Sequence, residues 1–258
     1  MSIWLRDSFL GGVVLRENVP FIASLTTREL PGFTGVCLEC RYREQFYADH
    51  LFAALGVHFP EQIRAAAAIR KAAFLAGRLA AQHGFRVLGV PKQVVGIGPN
   101  GEPLWPEAVS ASISHTAGNH PTGVAICILS WGRHRVGVDV EDFLSAAVLS
   151  EVKELILTPA EQRYIATLNG KECQVATILF SGKECLYKAL YPEVRAYFDF
   201  LDAEAIKLDF TNSQITFCLV KALSLSLPPG TRVVIAWQVG EEEVVTYVPL
   251  AGAGKGLT

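Results

Sequence analysis

Two acidic residues interrupt a short apolar run at residues 136–141 (VGVDVE), and their spacing restricts the fold more than any other part of the chain. The alternation predicts a β-strand, because residues two apart on a strand project from the same face. Asp139 and Glu141 then share one face, with Cα atoms about 6.5–7 Å apart, while Val138 and Val140 face a core. This spacing suits two oxygen ligands of one divalent cation. A solvated strand edge is the alternative interpretation.

A second segment, residues 180–188 (FSGKECLYK), is predicted to be helical and to carry a third acid. We predict that Ser181 caps the start of this helix, with Glu184 three residues later as in a capping box. Glu184 and Lys188 are four residues apart and share a helix face. Three carboxylates, a lysine and no set of zinc ligands favour Mg²⁺ and a phosphate. A surface ion pair on a solvated helix is the alternative.

The composition is that of a globular protein without a strong charge. The chain has 258 residues, 50% hydrophobic and 19% charged, enough for one large domain or two ordinary ones. Its net charge of −2 and pI near 6.3 argue against a nucleic-acid binder. The longest apolar run, residues 123–129, is far too short to span a membrane. Because the N-terminus lacks signal-peptide features, we expect a cytoplasmic protein.

The six cysteines are scattered along the chain, and we expect them to be reduced thiols in the core. Cys37 and Cys40 have the spacing of a metal knuckle, but no second cysteine pair or histidine pair accompanies them. A strand with both thiols buried is the better interpretation.

Helical and strand patterns indicate two halves, each with a long helix and several strands. A helix is predicted over residues 60–83 and ended by Gly84, and a broken helix is predicted over 144–155. A further helix is predicted to start at a Thr158–Glu161 capping box, and another to run over 171–191 with a break near Ser181. Strands are predicted at 36–42, 85–90, 111–116, 122–131, 136–141, 205–209, 215–220, 232–239 and 244–248.

A hairpin turn at residues 132–135 is predicted to pair the two strands that flank it. Mostly hairpin-connected strands favour an α+β fold over a doubly wound sheet. We assign residues 1–134 to the N-terminal half, 135–250 to the C-terminal half, and 251–258 to a flexible tail.

Basic residues lie along the first long helix, among them Arg70, Lys71 and Arg78. Lys71 and Arg78 are seven residues apart and share a face. The sequence leaves open whether this is a solvated basic face or an anion site.

Ser114 and His115 end the strand at 111–116. Neighbours on a strand project to opposite faces, so we reject a nucleophile–base pair. A histidine that donates to a phosphate oxygen is the favoured interpretation, and a structural histidine is the alternative.

Taken together, these motifs resemble those of the 4′-phosphopantetheinyl transferases of the monomeric, Sfp-like superfamily. The matching segments are, in chain order, residues 112–115 (SISH), 137–141 (GVDVE) and 180–188 (FSGKECLYK). The loop 101–106 (GEPLWP) and the helix around Gly77 and Arg78 resemble the enterobactin synthase component D type. The resemblance implies two similar α/β halves related by a pseudo-two-fold, with the site at their seam.

The resemblance also implies an activity, the transfer of 4′-phosphopantetheine from coenzyme A to a serine of an acyl, aryl or peptidyl carrier protein, with release of 3′,5′-ADP. The carrier belongs to a fatty-acid, polyketide or non-ribosomal peptide synthase. By match to the motifs, Asp139, Glu141 and Glu184 would hold Mg²⁺. Glu184 would take the serine proton, directly or through a water, and Lys188 would neutralise the attacked phosphate.

For coenzyme A, the resemblance implies that His115, with Ser114 beside it, binds a phosphate, as does Lys188. Arg70 or Lys71 would supply charge for the 3′-phosphate, on the helix that carries Arg78. Two other functions stay open: a metal-dependent hydrolase of nucleotide pyrophosphates, whose acids activate water, and a non-catalytic module that binds coenzyme A or a carrier.

Overall fold

The computed structural model describes residues 19–116 and 122–250; the predicted tail at 251–258 lies outside the described residues. The strands are β1 (Ile22–Thr27), β2 (Val36–Tyr42), β3 (Gly96–Ile97), β4 (Pro103–Leu104), β5 (Val109–Thr116), β6 (Gly123–Trp131), β7 (Val138–Asp142), β8 (Ala203–Asp209), β9 (Gln214–Leu219), β10 (Arg232–Val239) and β11 (Glu243–Tyr247). The α-helices are α1 (Leu51–Ala54), α2 (Glu61–Arg64), α3 (Ala68–Leu88), α4 (Ala146–Ile156), α5 (Pro159–Ile165) and α6 (Glu172–Val194).

The first half is an antiparallel sheet of order β1-β2-β6-β5 with α3 packed across one face. Small side chains on α3 bring the helix close to the sheet. At Gly84, an added Cβ would lie 2.2 Å from Leu129 Cδ1, so only glycine fits there without a shift.

The second half repeats this plan with an antiparallel sheet of order β7-β11-β10-β9-β8 and α6 across one face. Gly137, just before β7, allows a close approach to α6, because its Cβ would lie 2.2 Å from the Cys185 carbonyl oxygen. The predicted α+β class with two similar halves is thereby confirmed.

A third apolar layer joins the two sheets, and β6 shows how the sequence builds it. Val124, Ile126 and Ile128 face the second sheet, where Val138 and Val140 of β7 meet them. The alternate β6 residues, such as Cys127, face α3. Because both faces of β6 are buried, its sequence is a continuous apolar run and does not alternate with polar residues.

The helix predicted at residues 60–83 differs from the structure at both ends. It is divided into α2 and α3, and Ala67, with extended backbone, precedes α3. The helix passes through Gly84 and ends at Gly89, which has φ +73°. Gly84 serves close packing and not termination, so the strand predicted at 85–90 is the last turn of α3 and its cap.

Two further predictions are wrong for reasons of long-range packing. The turn at 132–135 does not make a hairpin, because β6 stays in the first sheet while β7 pairs with β11 in the second. Ser181 does not start a helix: α6 is continuous, and the Ser181 hydroxyl is 2.9 Å from Thr246 Oγ1 in the core. The predicted broken helix at 144–155 is one continuous helix, α4.

The other predicted elements are present. The strands at 36–42, 111–116, 122–131, 136–141 and over 205–248 correspond to β2, β5, β6, β7 and β8–β11. Thr158 and Glu161 form the predicted capping box at α5. Cys37 and Cys40 are buried, and all six cysteines are free thiols. Within the described residues, no helix is long and apolar enough to cross a membrane.

Candidate active site

A buried cluster of polar groups lies where β5, β7 and α6 meet, at the seam between the halves. Asp139 of β7 is 1% exposed. Its Oδ1 accepts a hydrogen bond from Ser114 Oγ of β5 at 2.7 Å and one from Lys188 Nζ of α6 at 2.6 Å. The Lys188 ammonium also donates to Ser114 Oγ at 2.9 Å. One carboxylate oxygen therefore joins three elements of both halves.

Serines of β5 attach the first sheet to β7. Ser112 Oγ accepts a hydrogen bond from the Val138 amide at 3.1 Å, and Ser114, two residues farther along β5, donates to Asp139, the next residue of β7. The strand alternation that puts both serines on one side of β5 points His115 to the other side. The side chain of Ser114 is thus held by Asp139 and Lys188, a role that the sequence motif did not reveal.

The remaining acids lie near enough to Asp139 to interact with it through their charges. Burial, followed by the Asp139 charge, raises the pKa of Glu141 to about 8, with a smaller contribution from Glu184. Burial and the Asp139 charge likewise raise the pKa of Glu184, against the opposing effect of Lys188. The two predicted motifs are therefore brought together, and Lys188 only partly offsets the burial and mutual repulsion that raise the pKa values of the two glutamates.

Lys188 is the cation of this cluster. Burial alone would lower its pKa, but the Asp139 charge and its hydrogen bond more than compensate and raise the pKa above the ordinary value. The side chain keeps 26% of its surface exposed. A charged ammonium with one side open to solvent is suited to meet an anionic ligand.

The acids at the seam are candidate ligands of a divalent cation. Among residues 19–116 and 122–250, no three His, Cys, Asp or Glu side chains already lie close enough to hold a metal ion. Asp139 Oδ2, however, is buried and accepts no hydrogen bond from the residues described. An unpartnered buried carboxylate oxygen beside Glu141 and Glu184 matches the oxygen ligands that Mg²⁺ prefers, so the residues fit such an ion.

On the other side of β5, His115 is exposed and lies near basic groups. Desolvation by the surrounding protein, followed by the charges of Lys188 and Arg70, lowers the pKa of His115. Arg70, in the first turn of α3, is exposed. Both charges belong to predicted site residues, so the geometry brings Arg70, His115 and Lys188 into one neighbourhood.

The other two basic residues predicted to bind the cofactor make their contacts elsewhere. Lys71 Nζ lies 2.9 Å from Asp49 Oδ1. Arg78 is buried, and its guanidinium donates to the Val95 carbonyl at 3.2 Å and lies 4.3 Å from the centre of the Phe74 ring. These contacts hold the segment that leads into β3 against α3, and they commit Arg78 to the protein interior.

A small cavity of about 180 Å³ opens beside Glu184 on α6. Its lining includes four aromatic side chains, Tyr187, Tyr197, Phe198 and Phe200, together with charged residues. Such a pocket suits an elongated, mostly apolar chain that ends close to the acids.

The β3–β4 hairpin reaches from the first half to this region of α6. Asn100, at its turn, donates from Nδ2 to the Tyr191 hydroxyl oxygen at 2.7 Å. Neither the aromatic pocket nor this contact was predicted from the sequence. Tyr187 and Tyr191, four residues apart beyond Glu184, were the one available signal, since they share a helix face.

Comparisons with known families agree with this geometry. Residues 59–125 match the 4′-phosphopantetheinyl transferase N-terminal domain, and residues 135–239 match the 4′-phosphopantetheinyl transferase superfamily. The first match includes all of α3 and β5, and the second includes β7 and α6. The two matched regions therefore contribute the polar groups that meet at Asp139.

Similar proteins with known names indicate the same family. Enterobactin synthase component D of Salmonella typhi is 37% identical over 134 residues, 52% of this chain and 54% of that protein. The Salmonella typhimurium protein of the same name is 32% identical over 195 residues, 73% of this chain and 75% of its own. The 4′-phosphopantetheinyl transferase PptT of Mycobacterium tuberculosis is 30% identical over 191 residues, 70% and 79% of the two chains. This chain belongs to the 4′-phosphopantetheinyl transferase superfamily and is an enzyme of that type.

Proposed function

We propose that the protein transfers 4′-phosphopantetheine from coenzyme A to a serine of an apo carrier protein, in a Mg²⁺-dependent reaction that releases 3′,5′-ADP. The observation that carries the proposal is the meeting of Asp139, Lys188 and Ser114 at the seam, with Glu141 and Glu184 beside them. An acyl, aryl or peptidyl carrier of a fatty-acid, polyketide or peptide synthase is the partner. We propose a monomeric cytoplasmic enzyme, with the halves divided at residues 134 and 135.

Asp139, Glu141 and Glu184 are the residues that would hold Mg²⁺ in this reaction. When bound, the ion supplies positive charge against the pyrophosphate of coenzyme A. The unpartnered Asp139 Oδ2 and the raised pKa values of both glutamates support this assignment, because a cation relieves the repulsion among the three carboxylates.

Lys188 and Glu184 are the residues of the chain that neutralise charge and accept a proton in the reaction. The Lys188 ammonium neutralises the charge on the phosphate under attack. Glu184 accepts the proton of the carrier serine, directly or through a water, and its raised pKa makes it a better base near neutral pH than an ordinary carboxylate. The two residues lie one turn apart on α6, so one helix positions both.

Binding of coenzyme A follows from the charges around the seam. Arg70 and His115 are the groups we assign to its phosphates, and the aromatic pocket beside Glu184 accommodates the pantetheine arm. Lys71 and Arg78 are committed to Asp49 and to backbone carbonyls, so we assign them to supporting roles in α3.

The experiment is to incubate the protein with coenzyme A, Mg²⁺ and apo carriers from the three synthase classes, and to weigh each carrier. We expect at least one carrier to gain one phosphopantetheine group, with one equivalent of 3′,5′-ADP released. Replacement of Lys188 by alanine should lower the rate by about 10²-fold or more. Release of 3′,5′-ADP at an equal rate without any carrier would contradict the transferase and support a hydrolase.

A further inference from the structure

A second buried ion pair lies on the far side of α6 from Asp139, and its lysine immediately precedes Glu184. Lys183 Nζ donates to Glu161 Oε2 at 2.6 Å and to the Ile156 carbonyl at 2.9 Å. Both charged side chains are only 2% exposed. Glu161 was predicted from the sequence only as part of a helix cap.

Glu161 collects hydrogen bonds from three other parts of the second half. Its Oε2 also accepts the Thr158 amide at 2.8 Å, and its Oε1 accepts the Ala205 amide of β8 at 2.8 Å. The carboxylate thus connects the α5 cap and β8 to Lys183 of α6, and Lys183 also binds the last residue of α4. The ion pair therefore links four elements, which are α4, α5, α6 and β8.

The energetics of such a pair indicate a role other than stability. Removal of two charges from water costs nearly as much as their attraction returns, so a neutral pair of similar size often stabilises a fold equally well. Desolvation indeed lowers the pKa of Lys183. What an ion pair with several directed hydrogen bonds adds is a fixed geometry.

The position of the Glu184 side chain depends on the geometry that this ion pair fixes. Its carboxylate forms no hydrogen bond or ion pair with the residues that the structure describes, so its place is set by the backbone of α6. Adjacent residues on an α-helix are separated by about 100° of rotation and 1.5 Å of rise. A roll of α6 that displaces Lys183 therefore displaces Glu184 and, one turn on, Lys188.

We propose that Lys183 and Glu161 are positioning residues, which fix the rotation of α6 so that Glu184 and Lys188 face the acids of β7. The proposal rests on the proposed function for the reaction that it affects. Lys183 and Glu184 both belong to the lining of the aromatic pocket.

The test compares the double variant Lys183→Met/Glu161→Gln with the wild type and with Arg133→Gln/Glu107→Gln. The glutamine carbonyl oxygen keeps an acceptor for one of the two backbone amides that Glu161 binds, and the control removes an exposed ion pair whose side chains are 81% and 86% exposed. We expect kcat for carrier modification to fall about 10–100-fold in the first variant, with KM for coenzyme A within about twofold and the melting temperature retained. The control should keep the wild-type kcat.

A second measurement needs neither coenzyme A nor a carrier. Mn²⁺ binding, followed by electron paramagnetic resonance, should weaken about tenfold in Lys183→Met/Glu161→Gln, because residues that orient metal ligands affect affinity on this scale. If the double variant does not fold, Glu161→Asp should show the same decreases in kcat and Mn²⁺ affinity, because it shortens the side chain that pairs with Lys183 by one methylene.

Two outcomes would overturn the proposal: a folded variant with wild-type kcat and Mn²⁺ affinity, or a rise in KM at unchanged kcat, which would make Lys183 a substrate contact. Failure of the proposed function gives a different result, since the wild type itself then modifies no carrier.

Discussion

At the scale of single residues, the chain uses buried polar groups for two purposes. Asp139 binds partners from both halves, and its Oδ2 has no hydrogen-bond partner within residues 19–116 and 122–250, which suits a ligand. His83, by contrast, is 3% exposed in α3 and takes no part in the site. Its burial, followed by the Arg86 charge, lowers its pKa to about 4. The first group is prepared for function, and the second makes stability depend on pH.

The His83 shift predicts how stability changes with acidity. Above pH 6.5 the ring is neutral in both states, so it adds no pH dependence. As the pH falls from 6.5 towards 4, the His83 ring binds a proton in the unfolded chain but stays neutral in the folded state. The free energy of unfolding therefore falls. At pH 4.5 this loss is roughly 2–3 kcal/mol. Urea unfolding of wild type and His83→Gln at pH 7.5 and 4.5 measures it. Between the two pH values, the free energy of unfolding of the variant should fall by that amount less than the free energy of unfolding of the wild type. Equal pH dependence in both proteins would contradict the assignment.

The site residues were predictable from sequence only to the extent that local patterns carry them. Strand alternation put Asp139 and Glu141 on one face, and helical spacing put Glu184 with Lys188. The hydrogen bonds that Ser114 makes with Asp139 and Lys188 were not predicted, because no local pattern shows that β5 lies beside β7. The Lys183–Glu161 pair was missed for the same reason, since its partners are 22 residues apart and their meeting depends on how the elements pack.

At the scale of elements, glycines decide how closely helices approach strands. Gly84 was predicted to end α3, yet its neighbour in space is Leu129, and the helix ends where Gly89 adopts φ +73°. A glycine that ends a helix and one that permits close packing are identical in the sequence. The β6–β7 hairpin prediction failed similarly, because a short polar turn does not reveal that the chain passes from one sheet to the other.

A substitution at Gly137 tests the approach of β7 to α6. An added Cβ would lie 2.2 Å from the Cys185 carbonyl oxygen, which is backbone and cannot rotate away. Gly137→Ala should therefore lower the free energy of unfolding by about 1–3 kcal/mol, and it should lower transferase activity because β7 carries Asp139. Urea unfolding and the carrier mass assay measure both effects.

The matched control for this substitution is Gly96→Ala, where the new Cβ meets Leu104 side-chain atoms at 3.5 Å or more. We expect its stability to stay within about 0.5 kcal/mol of wild type. Equal unfolding curves for Gly137→Ala and Gly96→Ala would show that β7 and α6 do not pack as described.

At the scale of the whole molecule, charged residues hold the halves together at the sheets as well as at the site. Glu243 of β11 accepts a hydrogen bond from Arg41 of β2 at 2.8 Å, and Glu39 lies between Arg41 and Arg28, with distances of 2.7 and 2.8 Å. Gln238 of β10 accepts from Arg28 at 3.0 Å. This network crosses between the halves beside the apolar layer.

Removal of the Glu243 carboxylate tests the contribution of this network. Glu243→Ala leaves Arg41 without its partner across the seam, so we expect the free energy of unfolding to fall by about 1–3 kcal/mol. Part of the loss should disappear in 1 M salt, which screens the exposed portion of the network. Glu107→Ala, in an exposed pair, should cost less than about 1 kcal/mol. An equally small effect of Glu243→Ala would exclude a stabilising role for the network.

The most direct test is the metal dependence of carrier modification, because the proposed function assigns three carboxylates to a divalent cation. The apo carrier is weighed after incubation with protein and coenzyme A, first with a chelator and then after Mg²⁺ is added in excess. We predict no gain of phosphopantetheine mass with the chelator, full gain after Mg²⁺, and none with Asp139→Asn under either condition. Complete modification in the presence of the chelator, or by Asp139→Asn, would contradict the assignment.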